Sequence, residues 1–136
     1  MARILIVDDE SSLRNLMAMT FRNAGFEVET AENGADAMKL LAMSEPFDAL
    51  LSDVVMPLVN GHELVRLTMR AQPGIRCVLM TGFDETECDE CPFANRCQVI
   101  EKPFHPTAAV DLVERILKEA GVGERAPGAK GRRAGI

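Results

Sequence analysis

The chain contains no Trp and no Tyr, and its only aromatics are six Phe in 136 residues. With a hydrophobic fraction of 47%, the core must therefore be built from Leu, Ile, Val and the eight Met. No apolar run approaches the length of a membrane span. The first apolar stretch is short and ends in Asp8-Asp9, so it does not read as a secretory segment. Positive charge is scarce where it would matter for nucleic acid. Residues 1–120 carry 11 Lys and Arg against 20 Asp and Glu, a net of −9. That balance excludes direct nucleic-acid binding by the body of the chain as an expectation. Residues 121–136 reverse it, with four basic residues against one acid among Gly, Pro and Ala. A cytoplasmic protein is expected, and its four Cys are read as metal ligands or redox thiols rather than a disulfide framework.

The length fits one domain. Four apolar runs stand out, and each stops at a chemically active side chain. Ile4-Leu5-Ile6-Val7 ends at Asp8 and Asp9; Ala49-Leu50-Leu51-Ser52 ends at Asp53; Val78-Leu79-Met80 ends at Thr81; Val99–Glu101 ends at Lys102. Runs of this kind read as strands buried on both faces, as in a parallel sheet. Phe26, Val28 and Thr30 alternate with Glu27 and Glu29 and predict a further strand, half exposed, at the sheet edge.

Helical periodicity lies between the strands. Leu13, Leu16, Met17, Thr20, Phe21 and Ala24 form one stripe, with Ser11 as its cap and Gly25 as its stop. Asn33-Gly34 opens a second helix to about Ser44, with Met38, Leu41 and Ala42 inward. A third runs from about Gly61 to Arg70, a fourth is expected over Asp84–Asn95, and a fifth starts near Pro106. Five strands alternating with five helices give an α/β doubly wound sandwich with helices on both faces.

Three acids, a hydroxyl and an ammonium at the carboxyl ends of separate strands make a magnesium-assisted phosphoryl site. Five pieces in order, Val7-Asp8-Asp9-Glu10, Ser52–Pro57, Asn60–Leu64, Met80-Thr81-Gly82 and Glu101-Lys102-Pro103-Phe104, resemble the response-regulator receiver domain of two-component signalling over roughly residues 1–120. The resemblance implies a flavodoxin-like sheet of order 2-1-3-4-5. It implies that Asp53 is the phosphoacceptor and that Mg2+ is held by Asp8, Asp9, Asp53 and the main-chain carbonyl of Val55. Asp9 would be the direct ligand and Asp8 the water-mediated one. Thr81 takes the place of the switch hydroxyl and Lys102 that of the charge-balancing lysine, with a cis peptide to Pro103. The aromatic that the family often carries three residues before this lysine is Val99 here, so the resemblance carries the hydroxyl part of the switch and not the aromatic part. The phosphodonor is expected to be a separate histidine kinase or phosphotransfer protein, docking on the first helix and the loops around Asp53.

A stand-alone, single-domain receiver is the expectation, with residues 121–136 a disordered basic tail too short for an output domain. The resemblance implies a signalling domain rather than an enzyme. A hydrolase of the haloacid-dehalogenase type would need an acid two residues past the nucleophile, where Val55 stands. Val55 and Phe83, both apolar, occupy the two positions that in the family tune attack by water, so a long-lived phosphoryl group is expected. The remaining motif is Cys88-x-x-Cys91-x5-Cys97, a spacing that suits zinc or an iron–sulfur cluster or a reversible disulfide. It supports an alternative function as a metal- or redox-sensing interaction module, alone or alongside phosphorylation. Cys77 lies in an apolar strand and reads as a small buried hydrophobe.

Overall fold

The computed structural model describes residues 2–43, 45–56, 59–82, 97–119 and 121, with His62 and Cys97 as backbone only. Five strands are present: β1 (Arg3–Val7), β2 (Glu27–Ala31), β3 (Ala49–Asp53), β4 (Arg76–Thr81) and β5 (Cys97–Glu101). They form one sheet in the order β2-β1-β3-β4-β5, and all pairings are parallel. The described helices are α1 (Ser11–Asn23), α2 (Gly34–Met43), α3 (Gly61–Ala71) and α4 (Pro106–Glu119). The helix expected over Asp84–Asn95 lies outside the described residues.

β3 explains why the sheet is covered on both sides. Its five residues are all buried, and because side chains alternate across a strand, both faces need an apolar partner. Leu51 joins Ile4, Ile6, Val78 and Met80 beneath α1 and α4. Leu50 joins Leu5, Cys77 and Leu79 beneath α2 and α3. β2 is at an edge, as its alternation requires, with Val28 buried and Glu27 and Glu29 exposed.

Some helix faces differ from the periodic reading. In α1 Met17 and Phe21 are buried as expected, joined by Ala18, while Leu16 is 46% exposed and Ala24 is exposed. In α2 Leu41 turns inward as expected and Met38 packs partly buried against the same core, with Ala37 buried beside them; only Ala42 departs, being exposed. A stripe of apolar residues wider than the contact arc leaves its margin in solvent. Ser11 does not cap α1. The N-cap is Glu10, whose carbonyl accepts from the Arg14 N–H and whose N–H goes to the Asp8 carboxylate at 2.8 Å; it makes no side-chain cap bond. Gly25 follows the end of α1 at φ 98°, a left-handed conformation that glycine adopts without a Cβ clash. β5 begins at Cys97, two residues before the expected start, pairing Cys97 with Cys77 in register.

Candidate functional site

The strand ends converge because the sheet is parallel. β1, β3 and β4 all deliver their carboxyl ends to one side, and the turn after β5 lies beside them. Asp8 and Asp53 are buried there and Asp9 is exposed. One carboxylate oxygen from each lies within 4.8 Å of the others. Lys102 Nζ stands 3.2 Å from Asp53 Oδ2 and 3.9 Å from Asp8 Oδ2.

Each group is held by its own backbone. The Asp8 N–H donates to the Ala31 carbonyl at 3.2 Å, and its Oδ1 accepts from Glu10 N–H, which leaves Oδ2 buried without a hydrogen bond. The Asp53 carboxylate accepts from the Val55 N–H. The Lys102 N–H donates to the Thr81 carbonyl at 2.7 Å, tying the lysine turn to the end of β4. The Lys102–Pro103 peptide is cis. Thr81 is buried, and its Oγ1 has no hydrogen-bond partner among the described residues.

Burial drives the electrostatics. Loss of hydration pushes the Asp8 carboxyl above its ordinary value; the Glu10 N–H lowers it, and neighbouring Asp53 adds to the rise. Asp53 is also raised by burial, against the downward pull of Lys102. One ammonium among three carboxylates leaves the cluster short of positive charge. The buried Asp8 oxygen without a donor fits a hard cation that takes oxygen ligands.

The structure thus brings Asp8, Asp9, Asp53 and Lys102 together, with Thr81 one bonded peptide away from Lys102. Val55 lies beside them with its side chain 56% exposed. Cys88, Cys91 and Phe83 lie outside the described residues. Neither the acidic site nor the relatives below lend support to zinc or an iron–sulfur cluster. His105 serves as a cap for α4, its Nδ1 accepting from the Thr107 N–H at 3.3 Å.

Three further residues shape the site without having been assigned a role from the sequence. A Cβ on Gly61 would lie 2.8 Å from the Val54 Cα, so only glycine lets α3 start this close to the acceptor strand. There the Gly61 N–H donates to the Val54 carbonyl at 2.7 Å, and Ser52 Oγ donates to the Asp53 carbonyl at 2.9 Å. Arg14 reaches back from α1 and donates to the Asp8 carbonyl at 2.8 Å.

Residues 4–116 match the model of the response regulator receiver domain. The chain belongs to that family. It is 35% identical over 118 residues to the response regulator receiver protein CpdR of Brucella abortus, covering 86% of this chain and 98% of CpdR. It is 32% identical over 115 residues to the DNA-binding transcriptional regulator NtrC of Escherichia coli, where 84% of this chain spans only 24% of that protein. The response regulator TrrA of Thermotoga maritima, solved in complex with Mg(2+)-BeF, superposes with a TM-score of 0.75 at 28% identity, covering 86% of this chain and all of TrrA. Among the described residues no helix is long and apolar enough to cross a membrane.

Proposed function

We propose that Asp53 is phosphorylated by a histidine kinase or phosphotransfer protein in a magnesium-dependent reaction, and that this switches a protein-binding surface. The observation that carries the reading is Lys102 Nζ 3.2 Å from Asp53 Oδ2 and 3.9 Å from Asp8 Oδ2, at the mouth of a three-carboxylate pocket. Family membership and the Mg(2+)-BeF complex of TrrA support it.

Asp8, Asp9, Asp53 and the Val55 carbonyl would hold the magnesium, which when bound neutralises the carboxylates against an incoming phosphoryl group. An Asp53 oxygen attacks phosphorus, an O–P bond forms, and the P–N bond of the donor phosphohistidine breaks. Lys102, now paired with Asp53, balances the charge on the phosphoryl oxygens. Thr81 Oγ1, buried and with no hydrogen-bond partner among the described residues, would donate to one of them, drawing the end of β4 toward Asp53. The exposed Leu16 and Met19 of α1, 46% and 57% accessible, offer an apolar docking face for the phosphodonor. In this reading residues 1–120 are the receiver, residues 121–136 an appended basic tail, and the exchange takes place in the cytoplasm.

The test is incubation with acetyl phosphate followed by intact-protein mass measurement. A gain of one phosphoryl group is expected with magnesium and not with chelator. A gain that persists in chelator, or in Asp53→Asn, overturns the reading.

A further inference from the structure

Arg14 makes one contact that the phosphoryl reading does not use. It lies on the first turns of α1 and lines a cleft of about 410 Å³ with Thr30, Glu32, Asp36 and Lys39. Two acids share that cleft, yet among the described residues Arg14 forms no ion pair with either. Its guanidinium Nη1 donates instead to the uncharged main-chain oxygen of Asp8, at 2.8 Å.

The choice of acceptor matters because of what the Asp8 carbonyl belongs to. It is one end of the Asp8–Asp9 peptide, and a planar peptide moves as a unit. Holding the oxygen fixes the plane from which the Cα of Asp9 departs. The other bonds at this turn hold Asp8 and the peptide on the far side of Asp9. The Asp8 N–H is bonded to the Ala31 carbonyl and its Oδ1 to the Glu10 N–H. Asp9 is exposed, and α1 has no side-chain cap to stiffen the turn. Glu10 N–H fixes the Asp9–Glu10 plane, and Arg14, from the first turn of the helix, fixes the Asp8–Asp9 plane on the other side of Asp9.

We infer that Arg14 is a positioning residue for divalent-cation binding, aiming the Asp9 carboxylate through the Asp8–Asp9 peptide plane. The inference rests on the reading of Asp8, Asp9 and Asp53 as a magnesium site. Partners outside the ligand shell typically change metal affinity by about 10- to 100-fold. An exposed turn held by one side chain belongs at the lower end. The arginine also brings a positive charge toward the site, which by itself would weaken cation binding. The two effects have opposite signs, so substitution separates them.

The experiment titrates MgCl2 into the full chain by calorimetry, for wild type, Arg14→Ala, Arg14→Gln and Arg14→Lys, with Asp9→Asn as the control. Melting temperatures are recorded in chelator. About tenfold weaker binding is expected in Arg14→Ala, with Arg14→Lys, a donor of comparable reach, recovering most of it and the shorter Arg14→Gln recovering only part. The chelator melting temperatures should not follow the same order. If Arg14→Ala does not fold, Arg14→Leu, which keeps bulk and has no donor, takes its place: about tenfold weaker binding supports the inference and wild-type affinity overturns it. Equal or tighter binding in Arg14→Ala, or affinities that track charge alone, overturns the inference. If wild type itself binds no magnesium, the metal-site reading fails first, and the two failures are distinguishable.

Discussion

Replacing Asp8 with Asn should stabilise the metal-free protein and destroy its affinity for magnesium. Asn keeps the Oδ1 that accepts the Glu10 N–H at 2.8 Å, so the turn survives. It removes a charge that is fully buried and whose Oδ2 has no hydrogen bond. The pairwise terms from Asp53 and Lys102 nearly cancel, and the exposed Asp9 carboxylate adds a further, solvent-screened repulsion. Repulsion from an Asp53 oxygen within 4.8 Å is about 3.5 kcal/mol at an effective dielectric near 20, and attraction to Lys102 Nζ at 3.9 Å is about 4 kcal/mol on the same scale. The lysine side chain is 28% exposed, which screens its share further. What remains is the cost of an ionised oxygen held away from water, about 1–2 kcal/mol after relaxation. For a chain of this size that is about 3–7 °C in melting temperature. The assay is thermal unfolding of wild type and Asp8→Asn in chelator, repeated in excess magnesium. The order should invert with the metal, because only the wild type gains binding energy. An Asp8→Asn protein that melts at or below wild type in chelator refutes the argument that burial of this charge is uncompensated.

The raised carboxyls of Asp8 and Asp53 also set a pH dependence. The folded state holds these protons more tightly than the unfolded chain, so metal-free stability should fall as pH rises from about 4, the ordinary carboxylate range, through the raised values. The fall should be shallower in Asp8→Asn, and equal slopes would argue against the shift. Gly34→Ala places a Cβ 2.7 Å from the Val59 Cβ, and such overpacking should cost about 1–2 kcal/mol. Adding Val59→Gly, which removes that Cβ, should recover part of the loss in denaturant unfolding relative to Val59→Gly alone, and independent effects would show that the contact is not the cause. Val55→Asn puts a hydrogen-bonding side chain on the exposed position two residues past Asp53, and should shorten the lifetime of the phosphorylated protein severalfold. Unchanged or slower dephosphorylation would place control of water elsewhere.

The parallel sheet was legible because β3 is apolar on both faces and β2 on one, and period-2 burial is written in side-chain type. The four strand-end groups were legible for the same reason, since a run that stops at Asp53 or Lys102 marks the carboxyl edge. Helix faces were less so. Leu16 looks inward by periodicity and is 46% exposed, because how much of an apolar stripe is covered depends on the neighbour. The second layer of the site was hidden. Arg14 reads as one more surface arginine until the fold puts the Asp8 carbonyl within its reach, and Gly61 reads as part of a turn until β3 is seen packed under it. Both are consequences of tertiary approach, which no local pattern encodes.

The central claim is chemical identity at one residue. An acyl phosphate on a carboxylate is reduced by borohydride to the alcohol, converting the phosphorylated aspartate to homoserine. The protein should therefore be treated with acetyl phosphate and magnesium, reduced, digested and mapped by tandem mass spectrometry. Homoserine at residue 53, absent when magnesium is chelated, is the predicted result. Homoserine at Asp48, Asp8 or Asp9 instead, or no reduced product from protein that has gained a phosphoryl group, would contradict the account.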